Sequence, residues 1–132
     1  MTDHCAAQHA SAVLIAEDEP IIRSLLCVLL ERRGLRVLVA ADGLEALSLF
    51  EQNMEEIGVV ITDLNMPRLD GPGLVRRLAE YPHHVRIIVT SGLPEMIDEM
   101  RRVWGPELVI MPKPYDARDL DEALERVKVA AA

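Results

Sequence analysis

The sequence predicts an α/β fold, a parallel β-sheet covered by helices on both faces. Three observations carry that expectation. Five short apolar runs, residues 12–16, 36–40, 58–62, 86–90 and 108–111, are rich in Val, Ile and Leu and do not alternate with polar residues. Such runs belong to strands buried on both faces. Between them lie stretches with apolar residues at three- and four-residue spacing, the period of a helix. The connections are short, and strand–helix alternation of this kind builds a parallel sheet with right-handed crossovers.

Each element has its own signals. The first run closes on Glu17-Asp18-Glu19, and Pro20 opens a helix in which Ile21, Ile22, Leu25, Leu26, Leu29 and Leu30 recur, with Gly34 past its end. After the second run, Leu44, Leu47 and Phe50 mark a second helix. The third run closes on Asp63 and continues Leu64-Asn65-Met66-Pro67. Asp70-Gly71 then precedes a third helix with Leu74, Val75 and Leu78, and Pro72 is tolerable in its first turn. The fourth run leads through Ser91-Gly92 to Met96, Ile97, Met100, Val103 and Trp104, a helix stopped by Gly105-Pro106. Its Met96, Met100 and Trp104 are expected in the core, with an exposed edge that meets a partner as the alternative. The fifth run ends at Pro112-Lys113-Pro114, and Asp116 is the expected N-cap of a last helix carrying Leu120, Leu124 and Val127.

These signals place one domain over residues 12–128, with a flexible tail at 1–11 and a frayed end at 129–132. At 132 residues the chain is long enough to bury a core. No apolar stretch approaches the roughly 18–20 residues that span a bilayer, and residues 1–12 lack the basic and apolar regions of a secretory signal. The net charge of -8 and the scarcity of aromatics (one Trp, two Tyr, one Phe) argue against nucleic-acid binding. Two cysteines, Cys5 in the tail and Cys27 on a helix, fit reduced thiols in a cytoplasm better than a disulfide framework. His4, Cys5 and His9 read as tail residues rather than metal ligands, and His83-His84 as an exposed loop.

The chemistry gathers at the strand ends. In doubly wound sheets, ligands bind beyond the carboxyl ends of the strands. Glu17, Asp18, Asp63, Ser91 and Lys113 all fall there. A carboxylate at the end of a buried strand is costly unless something uses it. Acids from two strands with one ammonium suggest a site for a divalent cation and a phosphoryl group.

Four fragments, Val13-Leu14-Ile15-Ala16-Glu17-Asp18-Glu19-Pro20, Ile61-Thr62-Asp63-Leu64-Asn65-Met66-Pro67 with Asp70-Gly71, Val89-Thr90-Ser91-Gly92, and Lys113-Pro114, occur in this order at strand ends. Together they make the chain resemble the receiver domain of bacterial two-component response regulators, from about Ala12 to Val127. The resemblance implies a flavodoxin-like (βα)5 sandwich with strand order 2-1-3-4-5. It also implies that Asp63 accepts a phosphoryl group from a histidine kinase or phosphotransfer protein, and that Lys113 pairs with a phosphoryl oxygen. Ser91, 22 positions before Lys113, would be the switch hydroxyl in preference to Thr90. Mg2+, for which Mn2+ can substitute, would be held by Asp18, Asp63 and the Asn65 backbone carbonyl, with Glu17 acting directly or through water. Lys113-Pro114 becomes a candidate cis peptide, and Asn65 and Leu93 would flank the path of hydrolytic water. The partners implied are the phosphoryl donor and a downstream protein docked on the surface of the fourth helix, fifth strand and fifth helix. The chain would be a monomer or a phosphorylation-linked dimer, without nucleic-acid or membrane contacts.

Two departures matter. The acidic pair is Glu17-Asp18 rather than Asp-Asp, a common variant. Three positions before Lys113, where an aromatic often swings inward, the chain has Ile110, which leaves open whether Tyr115 takes that part. One rival is a phosphatase of the haloacid-dehalogenase type, but Asn65 stands where its second Asp would act as an acid. The other is a pseudo-receiver used only as an interaction module; such proteins typically lose an acid or the lysine, and this chain keeps them.

Overall fold

The computed structural model describes residues 12–82 and 85–131, with side chains through Lys128. The tail residues, including His4, Cys5 and His9, the pair His83-His84 and Ala132 lie outside the described residues, and so do the expectations made for them. Five strands, β1 (Ala12–Ala16), β2 (Arg36–Ala40), β3 (Ile57–Asp63), β4 (Arg86–Ser91) and β5 (Val109–Pro112), form one parallel sheet in the order β2-β1-β3-β4-β5. Helices α1 (Pro20–Arg32), α2 (Gly43–Gln52), α3 (Gly71–Ala79), α4 (Pro94–Trp104) and α5 (Ala117–Ala131) connect or follow them. The expected flavodoxin-like arrangement is what the chain adopts. The strand limits differ by a residue or so from the apolar runs. β3 and β4 extend to include Asp63 and Ser91, because ladder pairing continues onto polar residues where a neighbouring strand supplies partners. The last helix runs to Ala131.

Successive strand residues point to opposite faces. On one face Val13, Ile15, Ile61, Ile88, Val109 and Met111 pack with Leu26 and Leu30 of α1 and Leu120, Leu124 and Val127 of α5. On the other, Leu14, Val60 and Ala16 pack with Phe50 of α2 and Leu74 and Leu78 of α3, while Val89 and Ile110 pack with Met100 of α4. The expectation of two covered faces fails at β2, whose Arg36 and Val39 are exposed because it is a sheet edge. Two helices are also more apolar than their packing needs. In α1, Ile21 is 83 % exposed, with Leu25 and Val28 below it on the open side. In α4 only Met100 is buried; Val103 and Trp104 lie outside the expected core, because the short β5 leaves the last turn little to cover.

Helix starts follow local chemistry. Asp42, Asp70 and Asp116 each accept a backbone N–H three residues on, from Glu45, Gly73 and Asp119. Asp119 returns the bond to the Asp116 N–H, a capping box built from two aspartates. Asp42 also holds the guanidinium of Arg68 (Nε to Oδ2 3.1 Å), a non-glycine residue at φ 69° in the loop after β3. That loop is pressed against its neighbours. A Cβ on Gly71 would lie 2.4 Å from both the Asp63 carbonyl oxygen and the Leu64 Cα.

Three substitutions have expected outcomes. Gly71→Ala should cost about 1–3 kcal/mol in urea unfolding, because backbone on both sides has to move. Gly92→Ala, whose Cβ would meet nothing nearer than Lys113 Cβ at 3.8 Å, should stay within about 0.5 kcal/mol. Asp42→Ala should cost about 1 kcal/mol at neutral pH. The Glu45 N–H, with help from Arg68, holds the Asp42 carboxyl below its ordinary 3.8. A depressed acid stabilises the fold above its unfolded value and loses that contribution as pH falls through the folded one. The gap between parent and variant should therefore narrow as pH drops below 3.8, which urea midpoints along a pH series would follow.

Candidate functional site

Parallel pairing brings the carboxyl ends of β1, β3, β4 and β5 to one edge of the sheet, and the sequence leaves its polar residues there. A pocket of about 330 Å³ is lined by Asp18, Glu19, Asp63, Asn65, Ser91, Gly92, Leu93 and Lys113. Asp63 is the last residue of β3 and only 6 % exposed. Its Oδ2 accepts from Lys113 Nζ at 3.1 Å, and its Oδ1 faces the Asn65 N–H at 3.4 Å. Glu17, just past β1, is 1 % exposed. Its Oε2 accepts from the Glu19 N–H at 3.1 Å and its Oε1 lies 3.4 Å from Lys113 Nζ. Asp18, exposed, completes an acidic trio with one oxygen each from Glu17, Asp18 and Asp63 inside 4.8 Å of one another.

Two carboxylate charges at that separation repel by roughly 3–4 kcal/mol at an effective dielectric of about 20. The cluster shows the consequence. Burial pushes the Glu17 carboxyl above its ordinary value and the Asp63 charge adds to it, while the Glu19 N–H and Lys113 pull the other way. Burial alone would lower the Lys113 ammonium, but Asp63 and Glu17 outweigh it and raise it. Lys113 also reaches Glu19 at 3.6 Å, so one ammonium serves three carboxylates. Its backbone is fixed by an N–H donated to the Ser91 carbonyl at 2.8 Å, and the Lys113-Pro114 peptide is cis.

Ser91 ends β4, and its Oγ accepts from the Leu93 N–H at 3.0 Å. Thr90, one residue earlier and paired in register with Asp63, does not line the pocket. The acids, Ser91, Lys113, Asn65 and Leu93 are thus brought together, as the strand-end reading expects. Ile110 and Tyr115 are not interchangeable. Ile110 is buried against Val89 and Met100, while Tyr115 packs with the α1 and α5 cluster on the opposite face. The Tyr115 Oη is buried with no partner among the described residues. Burial, then the charges of Glu17, Asp63 and Glu19, push its phenol up. The sequence places Tyr115 two residues past Lys113, but its packing on the α1 and α5 side is decided by the tertiary structure.

Lys113→Met should destabilise the protein by about 1.5–3 kcal/mol at neutral pH with chelator present, because charge-assisted hydrogen bonds to buried acids are lost. Urea midpoints measure this, and an unchanged midpoint would mean that the ammonium contributes nothing net.

Comparison with known proteins agrees with this geometry. The family model described as the response regulator receiver domain matches residues 13–125. The response regulator receiver protein CpdR of Brucella abortus is 29 % identical, over 90 % of this chain and 98 % of that protein. The sensor kinase CckA of the same organism is 32 % identical over 84 % of this chain, which spans 12 % of that kinase's length. A crystal structure of a response regulator receiver domain protein from Clostridium thermocellum superposes with a TM-score of 0.79 at 30 % identity, covering 89 % of this chain and 93 % of that one. The chain belongs to the response regulator receiver domain family.

Proposed function

We propose that Asp63 is the phosphoryl acceptor of a phosphorylation-driven signalling switch, and that the chain is not a turnover enzyme. The observation that carries this is the Asp63 carboxylate at the floor of an open pocket, with an ammonium at 3.1 Å and two further acids beside it. In the step proposed, an Asp63 oxygen attacks the phosphorus of a phosphohistidine. A P–O bond forms as the P–N bond breaks, and the electron pair leaves on the imidazole nitrogen. Lys113 stands where it can pair with a phosphoryl oxygen as a point charge. The Ser91 hydroxyl, which lines the same pocket, would then donate to the acyl phosphate and draw the segment from Gly92 to Glu95 with it. This is a shift between two pre-existing populations. Asn65 and Leu93, both at the exposed mouth, would set how readily water reaches the adduct.

An all-oxygen donor set of this kind suits Mg2+. Asp18, Asp63 and the Asn65 carbonyl would hold it, with Glu17 direct or through water, and Mn2+ can substitute. When bound, the ion would offset negative charge on the acids and on the phosphoryl oxygens.

The donor is a histidine kinase or a histidine phosphotransfer protein. The exposed apolar stripe Ile21, Leu25 and Val28 of α1 begins two residues beyond Glu19, and supports docking of a partner over the pocket. For the downstream protein we assign the surface of α4, β5 and α5. Val103 is 61 % exposed at the end of α4. A groove of about 310 Å³ lies between β5 and α5, lined by Ile110, Pro112, Asp119, Glu122 and Arg126. Free, half-buried Cys27 is in keeping with a cytoplasmic protein, and among the described residues no helix is long and apolar enough to cross a membrane.

Intact mass after incubation with acetyl phosphate tests the reading. The parent should gain about 80 Da only when Mg2+ is present, and Asp63→Asn should gain nothing. An equal adduct on the variant would remove Asp63 from its role. No adduct on the parent from any donor would favour an interaction module.

A further inference from the structure

At the amino end of the sheet, opposite the Asp63 pocket, the structure holds a second recess of about 270 Å³. Its floor is apolar, made by Val13 of β1, Val59 of β3 and Leu124 of α5. Three cations stand around it, Arg33, Arg86 and Lys128, and no carboxylate lines it. In a chain of net charge -8 that concentration of positive charge needs a reason.

Helix ends account for part of it. Arg33 caps α1 and Lys128 lies in the last turn of α5, where cations offset the helix dipole. Both also have acidic neighbours: Arg33 Nη1 reaches Asp121 at 2.5 Å, and Lys128 Nζ lies 3.7 Å from Glu125. Arg86 is different. It opens β4, ends no helix, and among the described residues makes no ion pair. Its Nε is buried and has no hydrogen-bond partner among them. A buried donor left unpaired is costly and rare. Here it sits beside an open recess with apolar walls.

We propose that this recess binds a small organic anion, one carboxylate or phosphate head on a short apolar tail, with the Arg86 guanidinium as its central donor. Guanidinium matches the geometry of either head group. The tail would cover Val13, Val59 and Leu124, removing apolar surface from water. The recess lies a little under the roughly 300–1,000 Å³ of pockets that take drug-sized molecules, so the ligand is fragment-sized. The site is independent of which residue takes the phosphoryl group, although β1, β3 and β4, which open here, are the strands that close on the acidic pocket.

The test is a titration of the full chain, 15N-labelled, with hexanoate, followed through the Arg86 Nε–Hε resonance and the backbone amides of Val13 and Val59. Saturable shifts at these positions are expected. Hexanol, with the same tail and no charge, should leave the Arg86 signal in place. Arg86→Gln should weaken hexanoate binding by about tenfold or more while retaining the parent's urea midpoint; if that variant does not fold, Lys128→Gln is read in the same way. Shifts that stay linear, scatter over surface arginines, appear equally with hexanol, or persist unchanged in Arg86→Gln would overturn the proposal.

Discussion

The ammonium of Lys113 lies among the carboxylates of Asp63, Glu17 and Glu19, at 3.1, 3.4 and 3.6 Å. Without it, buried acids from two strands would face one another across a few ångströms with little to offset their repulsion. With it, Asp63 can stay at the end of a buried strand and still be directed into an open pocket. The arrangement is not neutral, however. Glu17 is pushed up by burial and by Asp63 even with Lys113 beside it. A site that holds more negative charge than its own cation offsets is poised to take up further positive charge, which is the property a hard-cation site requires.

That balance depends on backbone fixed at two places. The Lys113 N–H to the Ser91 carbonyl sets the height of the lysine above the sheet. The loop after β3 is held from the other side, where the Leu64 carbonyl accepts from the Gly71 N–H and Arg68 reaches back to Asp42. Gly43 and Gly71 let this loop lie against α2 and β3. A Cβ on Gly43 would come within 1.9 Å of the Leu69 carbonyl oxygen. Arg68 takes up a positive φ there, which a non-glycine residue adopts only at some cost. The strain falls two residues past Met66, in the segment that carries Asn65 into the pocket. Packing of the α2–α3 side and geometry of the acidic site are therefore one constraint, and Gly92, where a Cβ would meet only Lys113 Cβ at 3.8 Å, belongs to access rather than to packing.

The places where apolar pattern and burial disagree are informative in their own right. Ile21, Leu25 and Val28 have helical spacing but face away from the core, while Leu26 and Leu30 of the same helix are fully buried. Periodicity identifies a helix; it does not say which of two adjoining apolar stripes the sheet will cover. Val103 and Trp104 share a face with Met100, yet only Met100 reaches Val89 and Ile110.

The sequence by itself determined the five strands and five helices, the aspartate cap at Asp116, and the presence of acids, hydroxyl and lysine at strand ends. These are local matters of spacing, capping and punctuation, so they are legible along the chain. The resemblance to receiver domains extended that reading to the strand order and to the residues expected at the site. Tertiary structure alone decided the rest. Pairing set β2 at an edge and so exposed Val39, and the course of the chain past the end of β5 put Ile110 and Tyr115 on opposite sides of the sheet. It also collected Arg33, Arg86 and Lys128, scattered over the sequence, around a single recess. Such groupings arise from contacts between residues far apart in the chain, and no local pattern records them.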